Sequence, residues 1–156
     1  MEELTTQERF TGKHAELTQT VIRVFYGVYN ELGIGFVESI YKECMRQAMR
    51  QAGLHVQTEV AIPVSFRGNL VGIFKADRVV EKAVIVELKV CDGLTREHEA
   101  QTLNYLRATE MEVALLVNFG PTARFKRLMM DNAKKRKSFP SVQIRVKSFP
   151  EEPATA

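Results

Sequence analysis

No apolar run in this chain approaches the roughly 18 residues needed to cross a bilayer, and its start, Met-Glu-Glu, lacks the basic stretch that opens a secretory signal. These absences predict a soluble, cytoplasmic protein with no membrane partner. Cysteine is scarce. Cys44 and Cys91 show no metal-type spacing, and a reducing compartment argues against a disulfide, so both are expected as free thiols in or near the core. Repeats and low-complexity segments are missing, and ordinary apolar and charged fractions indicate neither disorder nor a fibrous class. Neither sign of charge dominates: the formal net charge is +3, which permits nucleic-acid binding without demanding it. What remains fits one ordinary globular domain of 156 residues. Its expected limits are an irregular polar segment over 1–13, a single domain over 14–149 and a loose tail over 150–156.

Hydrophobic periodicity places the elements. Leu17, Val21, Phe25, Val28 and Leu32 recur at helical spacing, predicting a helix over 15–32 that stops at Gly33. A second helix is expected over 36–52, with Val37, Ile40, Tyr41, Cys44, Met45, Ala48, Met49 and Ala52 on its apolar face and Gly53 at its end. Residues 56–66 alternate as a half-exposed strand in which Pro63 suggests an edge. Gly68-Asn69 turns the chain into a strand over 70–80, and Glu81-Lys82 makes a hairpin-like link to a strand over 83–90. Thr95 is a good N-cap for a helix over 96–108. The apolar run 113–119 is expected to return as a strand parallel to 83–90 through a right-handed crossover. Residues 123–130 fit a strand or a short helix, and Val142, Ile144 and Val146 fit a final edge strand. The basic run Lys134 to Lys137 reads as a solvated loop or as a contact to a nucleic-acid backbone. The expected fold class is therefore α/β, with an antiparallel meander extended by one parallel strand and flanked by helices.

The run Ala83 to Val90 is rich in Val and Ile and free of Gly and Pro, as in a strand covered on both faces, yet it carries Glu87 and Lys89. Side chains alternate along a strand, so Ile85, Glu87 and Lys89 share one face. The hairpin-like link sets Asp77, on the preceding strand, beside Glu87. Two carboxylates held together need a proton or a cation between them. Hard oxygen ligands of this kind suit Mg²⁺ or Mn²⁺. An Asp followed by Glu-x-Lys also fits a surface ion-pair cluster, and the residues alone leave both readings open. Glu38 lies about 70° from the centre of the second helix's apolar stripe, at the margin of the buried face. There it fits either a site acid or a first-turn charge favourable to the helix dipole. Glu59 fits a further acid near the cluster, but it falls on the solvent side of its strand, which favours an ordinary surface charge.

Asp77 with Glu87-Leu88-Lys89 resembles the pattern of the PD-(D/E)XK nuclease superfamily. Gly35, Glu38 and Tyr41 spell Gly-x-x-Glu-x-x-Tyr, after which one branch of that superfamily is named. The resemblance to this GxxExxY family continues through Phe-Lys-Ala-Asp77, Val-Ile-Val-Glu-Leu-Lys89, His98-Glu-Ala-Gln-Thr-Leu-Asn-Tyr-Leu-Arg107 and Leu-Leu-Val-Asn-Phe-Gly120, in order and in register, over about residues 15–130. It implies a restriction-endonuclease-like core and a metal-dependent nuclease. On this resemblance Asp77, Glu87, the Leu88 carbonyl and Glu38 are the metal ligands, Lys89 is the catalytic lysine, and Gln101 orients a water or a phosphate oxygen. His98, Tyr105 and Tyr41 are candidate substrate contacts. The implied cofactor is Mg²⁺ or Mn²⁺ and the implied partner is nucleic acid, with DNA and RNA equally open. A protein partner or a homo-oligomer is not set by any of these residues. The alternative is a catalytically silent nucleic-acid- or partner-binding module on the same scaffold.

Overall fold

The computed structural model describes residues 12–135. Helix α1, Ala15–Leu32, buries Val21, Ile22, Phe25 and Val28 along one stripe and ends at Gly33, whose φ of 69° and N–H to Tyr29 O (2.8 Å) close the last turn. Helix α2, Glu38–Gln51, buries Tyr41, Met45 and Met49 at four-residue spacing. It starts two residues later than its hydrophobic pattern suggests. Val37 and Ile40, expected on the apolar face, are instead exposed (66% and 43%). Val37 precedes the helix, and Ile40 sits about 100° round the axis from Tyr41, off the line that faces the sheet.

Five strands follow: β1 (Val56–Phe66), β2 (Asn69–Val80), β3 (Val84–Lys89), β4 (Val113–Asn118) and β5 (Arg124–Met129), with helix α3 (Arg96–Arg107) between β3 and β4. Their order in the sheet is their order in the chain. All neighbours are antiparallel except β3 and β4, which α3 joins as a parallel pair. Pro63 lies on β1, which is indeed an edge. The segment left open between strand and helix is strand β5. The expected strand at 142–146 and the basic run past Lys135 lie outside the described residues.

The β1–β2 and β2–β3 hairpins each turn on two residues at positive φ. The first uses Arg67 (48°) and Gly68 (78°), one position earlier than Gly68-Asn69. The second uses Glu81 (52°) and Lys82 (53°), neither of them glycine. It is braced from outside: Glu81 N donates to His55 O (2.8 Å) and Glu81 Oε1 accepts from His55 N (2.6 Å). These contacts fix the hairpin that brings β2 back against β3.

The centre of the sheet is covered on both faces, while the far end of the β1–β2 hairpin, with Leu70, Val71 and Ile73, is exposed. Val84, Val86 and Leu88 of β3 pack with Val113, Leu115 and Val117 of β4 against α1 and α2, while Ile85 and Ala114 pack on the other face with Tyr105 and Leu106 of α3. Glu87 thus sits in a strand whose neighbours on either side are core. Among the described residues no helix is long and apolar enough to cross a membrane. Both cysteines are free and half-buried.

Candidate metal centre

Strands β2 and β3 pair only at Val80↔Val84, Val79↔Ile85 and Arg78↔Val86. One residue further, β2 stays with β1 in a long hairpin while β3 stays with β4. A fork in a buried sheet leaves backbone N–H groups to be satisfied by something other than a strand. Here the two acids do it. Asp77 N donates to Glu87 Oε1 (2.7 Å) and Leu88 N donates to Asp77 Oδ2 (2.9 Å). Both residues are buried, at 8% and 3% exposure.

Burial pushes the Glu87 carboxyl up, and the neighbouring charge of Asp77 pushes it further, to about 8; the Asp77 N–H and the charge of Lys89 pull the other way without winning. A buried acid held this far from its ordinary value is one that lacks a counter-charge. The carboxylate oxygens that meet here, from Asp77 and Glu87, are hard donors and fit a Mg²⁺-type ion, which binds one or two carboxylates and keeps other positions for water and phosphate. The fit is to two acids, since among the described residues no group of three acid, histidine or cysteine side chains converges.

Glu38, the first residue of α2, is half-exposed and does not join the pair directly. Lys42 stands between them, its Nζ lying 2.7 Å from Asp77 Oδ1, 3.4 Å from Glu38 Oε2 and 3.9 Å from Glu59 Oε1. Burial works to lower the Lys42 ammonium, but the hydrogen bond and charge of Asp77, with Glu38 and Glu59, raise it. The sequence reading passed over Lys42, although its position four residues after Glu38 puts both on one side of α2. Glu59 is exposed, as its alternation suggests, yet it stands near the cluster, the other place the sequence allowed it. It sits at φ 49° between the pairs Thr58↔Arg78 and Val60↔Ala76, level with Asp77, and its Oε1 is 3.7 Å from the buried Arg78. Arg78 in turn donates from Nη1 to Asp77 O (2.6 Å).

Lys89 is half-buried on the Glu87 face of β3. The chain beyond it is pinned to the end of β4: Cys91 N donates to Asn118 Oδ1 (3.1 Å), Asn118 Nδ2 donates to Cys91 O (2.9 Å) and Phe119 N donates to Lys89 O (2.8 Å). A side chain at Gly120 would place its Cβ 2.0 Å from Cys91 O, so this crossing admits only glycine. The Asn-Phe-Gly run, read from sequence only as part of a motif, serves to hold the strand end that carries Lys89.

On this same face of β3, the one Ile85 shares with Glu87, Tyr105 of α3 is buried against Phe74 and looks toward the acids. Burial and the charges of Glu87 and Asp77 push its hydroxyl up to about 12, against a hydrogen bond with Gln101. Gln101 itself is exposed on the first half of α3. His98 has a different employment. Its Nδ1 accepts from Thr95 N (3.1 Å) while Thr95 Oγ1 accepts from His98 N (3.3 Å), a capping box with histidine in the place usually held by Glu or Gln.

Tyr41, expected as a candidate substrate contact, is fully buried and offers no surface. Its hydroxyl donates to Gly33 O (2.6 Å) and accepts from Phe36 N (3.3 Å), and its ring stacks on Phe119 at 4.4 Å between centroids. It ties the α1–α2 loop to the core and so fixes where α2, and with it Glu38, begins.

A model of the PD-(D/E)XK nuclease superfamily matches residues 15–128, from the start of α1 to β5. The chain belongs to this superfamily. The mixed five-stranded sheet with its one parallel pair is the restriction-endonuclease-like α/β fold expected of a PD-(D/E)XK protein. Among solved structures, that of SSO0001 is similar at 20% identity with a TM-score of 0.46, over 78% of this chain and 62% of that one. The chain thus spans about three-fifths of the length of that protein. No curated protein matches the PD-(D/E)XK chain described here.

Proposed function

We propose that this PD-(D/E)XK chain is a metal-dependent nuclease that hydrolyses phosphodiester bonds of DNA or RNA, in the branch marked by Gly35, Glu38 and Tyr41. The observation that carries this reading is the strand fork, where Asp77 and Glu87 are buried side by side and Glu87 is left short of positive charge. Asp77, Glu87 and the Leu88 carbonyl hold the ion in this reading, and Glu38 reaches it directly or through water. A bound Mg²⁺ or Mn²⁺ supplies Lewis acidity toward a phosphodiester oxygen. Lys89 orients the attacking water and stabilises the charge that grows on the phosphate in the transition state. Gln101 orients a water or a phosphate oxygen without adding charge. Tyr105, neutral far above physiological pH, serves as a hydroxyl donor rather than a phenolate.

One observation favours a second reading, a silent nucleic-acid-binding module on the same scaffold: the Lys42 ammonium already neutralises Asp77 from 2.7 Å. Incubating the purified protein with single- and double-stranded DNA and RNA, with Mg²⁺ or Mn²⁺ and beside a chelator control, separates the two. The nuclease reading expects cleavage that disappears in chelator and in Asp77→Ala. Cleavage that persists in either overturns the assignment, and binding without cleavage of any of the four substrates supports the silent module.

A further inference from the structure

We propose that Lys42 is a built-in competitor for the metal, a tethered cation that holds Asp77 in the metal-free protein and must leave before a divalent ion can be bound fully. The inference rests on the reading that Asp77 and Glu87 hold the ion. Asp77 has two carboxylate oxygens, and Oδ2 is committed to the Leu88 amide. Oδ1 is the oxygen left for a ligand, and Lys42 Nζ is on it at 2.7 Å. An ion such as Mg²⁺ binds carboxylate oxygen at about 2.0–2.1 Å. With the ammonium still in place the two positive centres would sit only about 3–4 Å apart, in a partly buried site where charges repel far more strongly than in water.

The structure also provides the place to which Lys42 retreats. Glu38 Oε2 and Glu59 Oε1 lie 3.4 and 3.9 Å from the same Nζ, both carboxylates half-exposed or more, and Glu38 is its i,i+4 neighbour on α2. A flexible four-carbon stem lets the ammonium swing from Asp77 toward Glu59 and stay paired while Glu38 turns to the ion. Lys42 therefore weakens metal binding without leaving Asp77 uncompensated when no metal is present. In that role it sets the metal concentration at which the site fills, and it couples loading to a change in the partner of Glu38.

Mn²⁺ titration by calorimetry at fixed pH on the full chain, wild type beside Lys42→Met, Lys42→Arg and Asp77→Asn, tests this. Lys42→Met should bind Mn²⁺ about tenfold tighter or more at unchanged stoichiometry, and Lys42→Arg should stay close to wild type. Equal or weaker binding by a folded Lys42→Met overturns the proposal. Should that variant fail to fold without metal, reductive methylation of wild-type Lys42, followed by mass spectrometry, reads the same event: Mg²⁺ should speed labelling severalfold, and an unchanged rate overturns it. Asp77→Asn keeps the two failures apart. If it binds Mn²⁺ as wild type does, the metal site itself is misplaced; if it loses Mn²⁺ while Lys42→Met gains nothing, only the role of Lys42 falls.

Discussion

Asp77 and Glu87 hold one another's strands: the amide of Asp77 donates to Glu87 Oε1 at 2.7 Å, and Asp77 Oδ2 accepts from the amide of Leu88, the residue after Glu87, at 2.9 Å. Each acid replaces the ladder bond that the fork removes. Their geometry is set before any ligand arrives, because moving either carboxylate would leave a buried N–H unpaired. Preorganised oxygens of this kind bind an ion without rearrangement of the acids themselves, so the cost of loading falls on the departure of Lys42.

Removing an acid and removing the lysine should have opposite effects on the ion. Asp77→Asn and Glu87→Gln keep a hydrogen-bond acceptor for the backbone but lose the charge, so Mn²⁺ affinity should fall by about tenfold or more. Lys89→Ala deletes a nearby positive charge and should bind Mn²⁺ equally or slightly tighter. Cleavage should fail in all three, since Lys89 acts on charge that develops only in the transition state. Paramagnetic relaxation by Mn²⁺ reads the binding without a substrate. Loss of metal in Lys89→Ala as severe as in Asp77→Asn would show that the ligand set is wrongly drawn.

Stability of the metal-free protein should depend on pH through Glu87. Its carboxyl, pushed to about 8 in the folded chain from an ordinary 4.5, keeps a proton that the unfolded chain gives up. The folded state therefore binds more protons between those values, and stability should fall as pH rises through that window and level off above it. The whole change is on the order of a few kcal/mol. Urea denaturation in chelator at a series of pH values should show this slope in wild type and a flat profile in Glu87→Gln. A rise in wild-type stability across the window would contradict the burial argument.

Tyr41 and His98 should prove to serve the fold rather than the ion. Tyr41→Phe loses the bond to Gly33 O and should cost about 1–2 kcal/mol, whereas His98→Ala opens one side of the capping box and should cost about 0.5–1 kcal/mol. Neither should shift Mn²⁺ affinity. Chemical denaturation beside metal titration checks both, and a Tyr41→Phe protein of wild-type stability would mean that its buried hydroxyl is not the tie it looks to be.

Periodicity in the sequence determined most of the scaffold. Helix α1 was readable to its ends, because a stripe of apolar residues at helical spacing and a following glycine are local signals. The same holds for β1, and for the alternation that put Glu87 and Lys89 on one face of β3. The Asp77, Glu-Leu-Lys and Gly-x-x-Glu-x-x-Tyr motifs likewise carry the likeness to the superfamily in the sequence itself. The site's inner electrostatics were not local. Lys42 meets Asp77 across 35 positions in the chain, and only the packing of α2 over the forked sheet decides that its ammonium, rather than the Glu38 carboxylate, touches the acid pair. Tyr41 belonged in the sequence both to the apolar face of α2 and to the candidate substrate contacts, and the stacking of its ring on Phe119, just past the end of β4, decides for the buried face. His98 was chemically ambiguous until Thr95 was seen to share its capping bonds. Sequence fixes which groups a chain carries and how they alternate along one element; which charge neutralises which is decided where distant elements meet, because Coulomb energy and desolvation depend on distance in space and on burial.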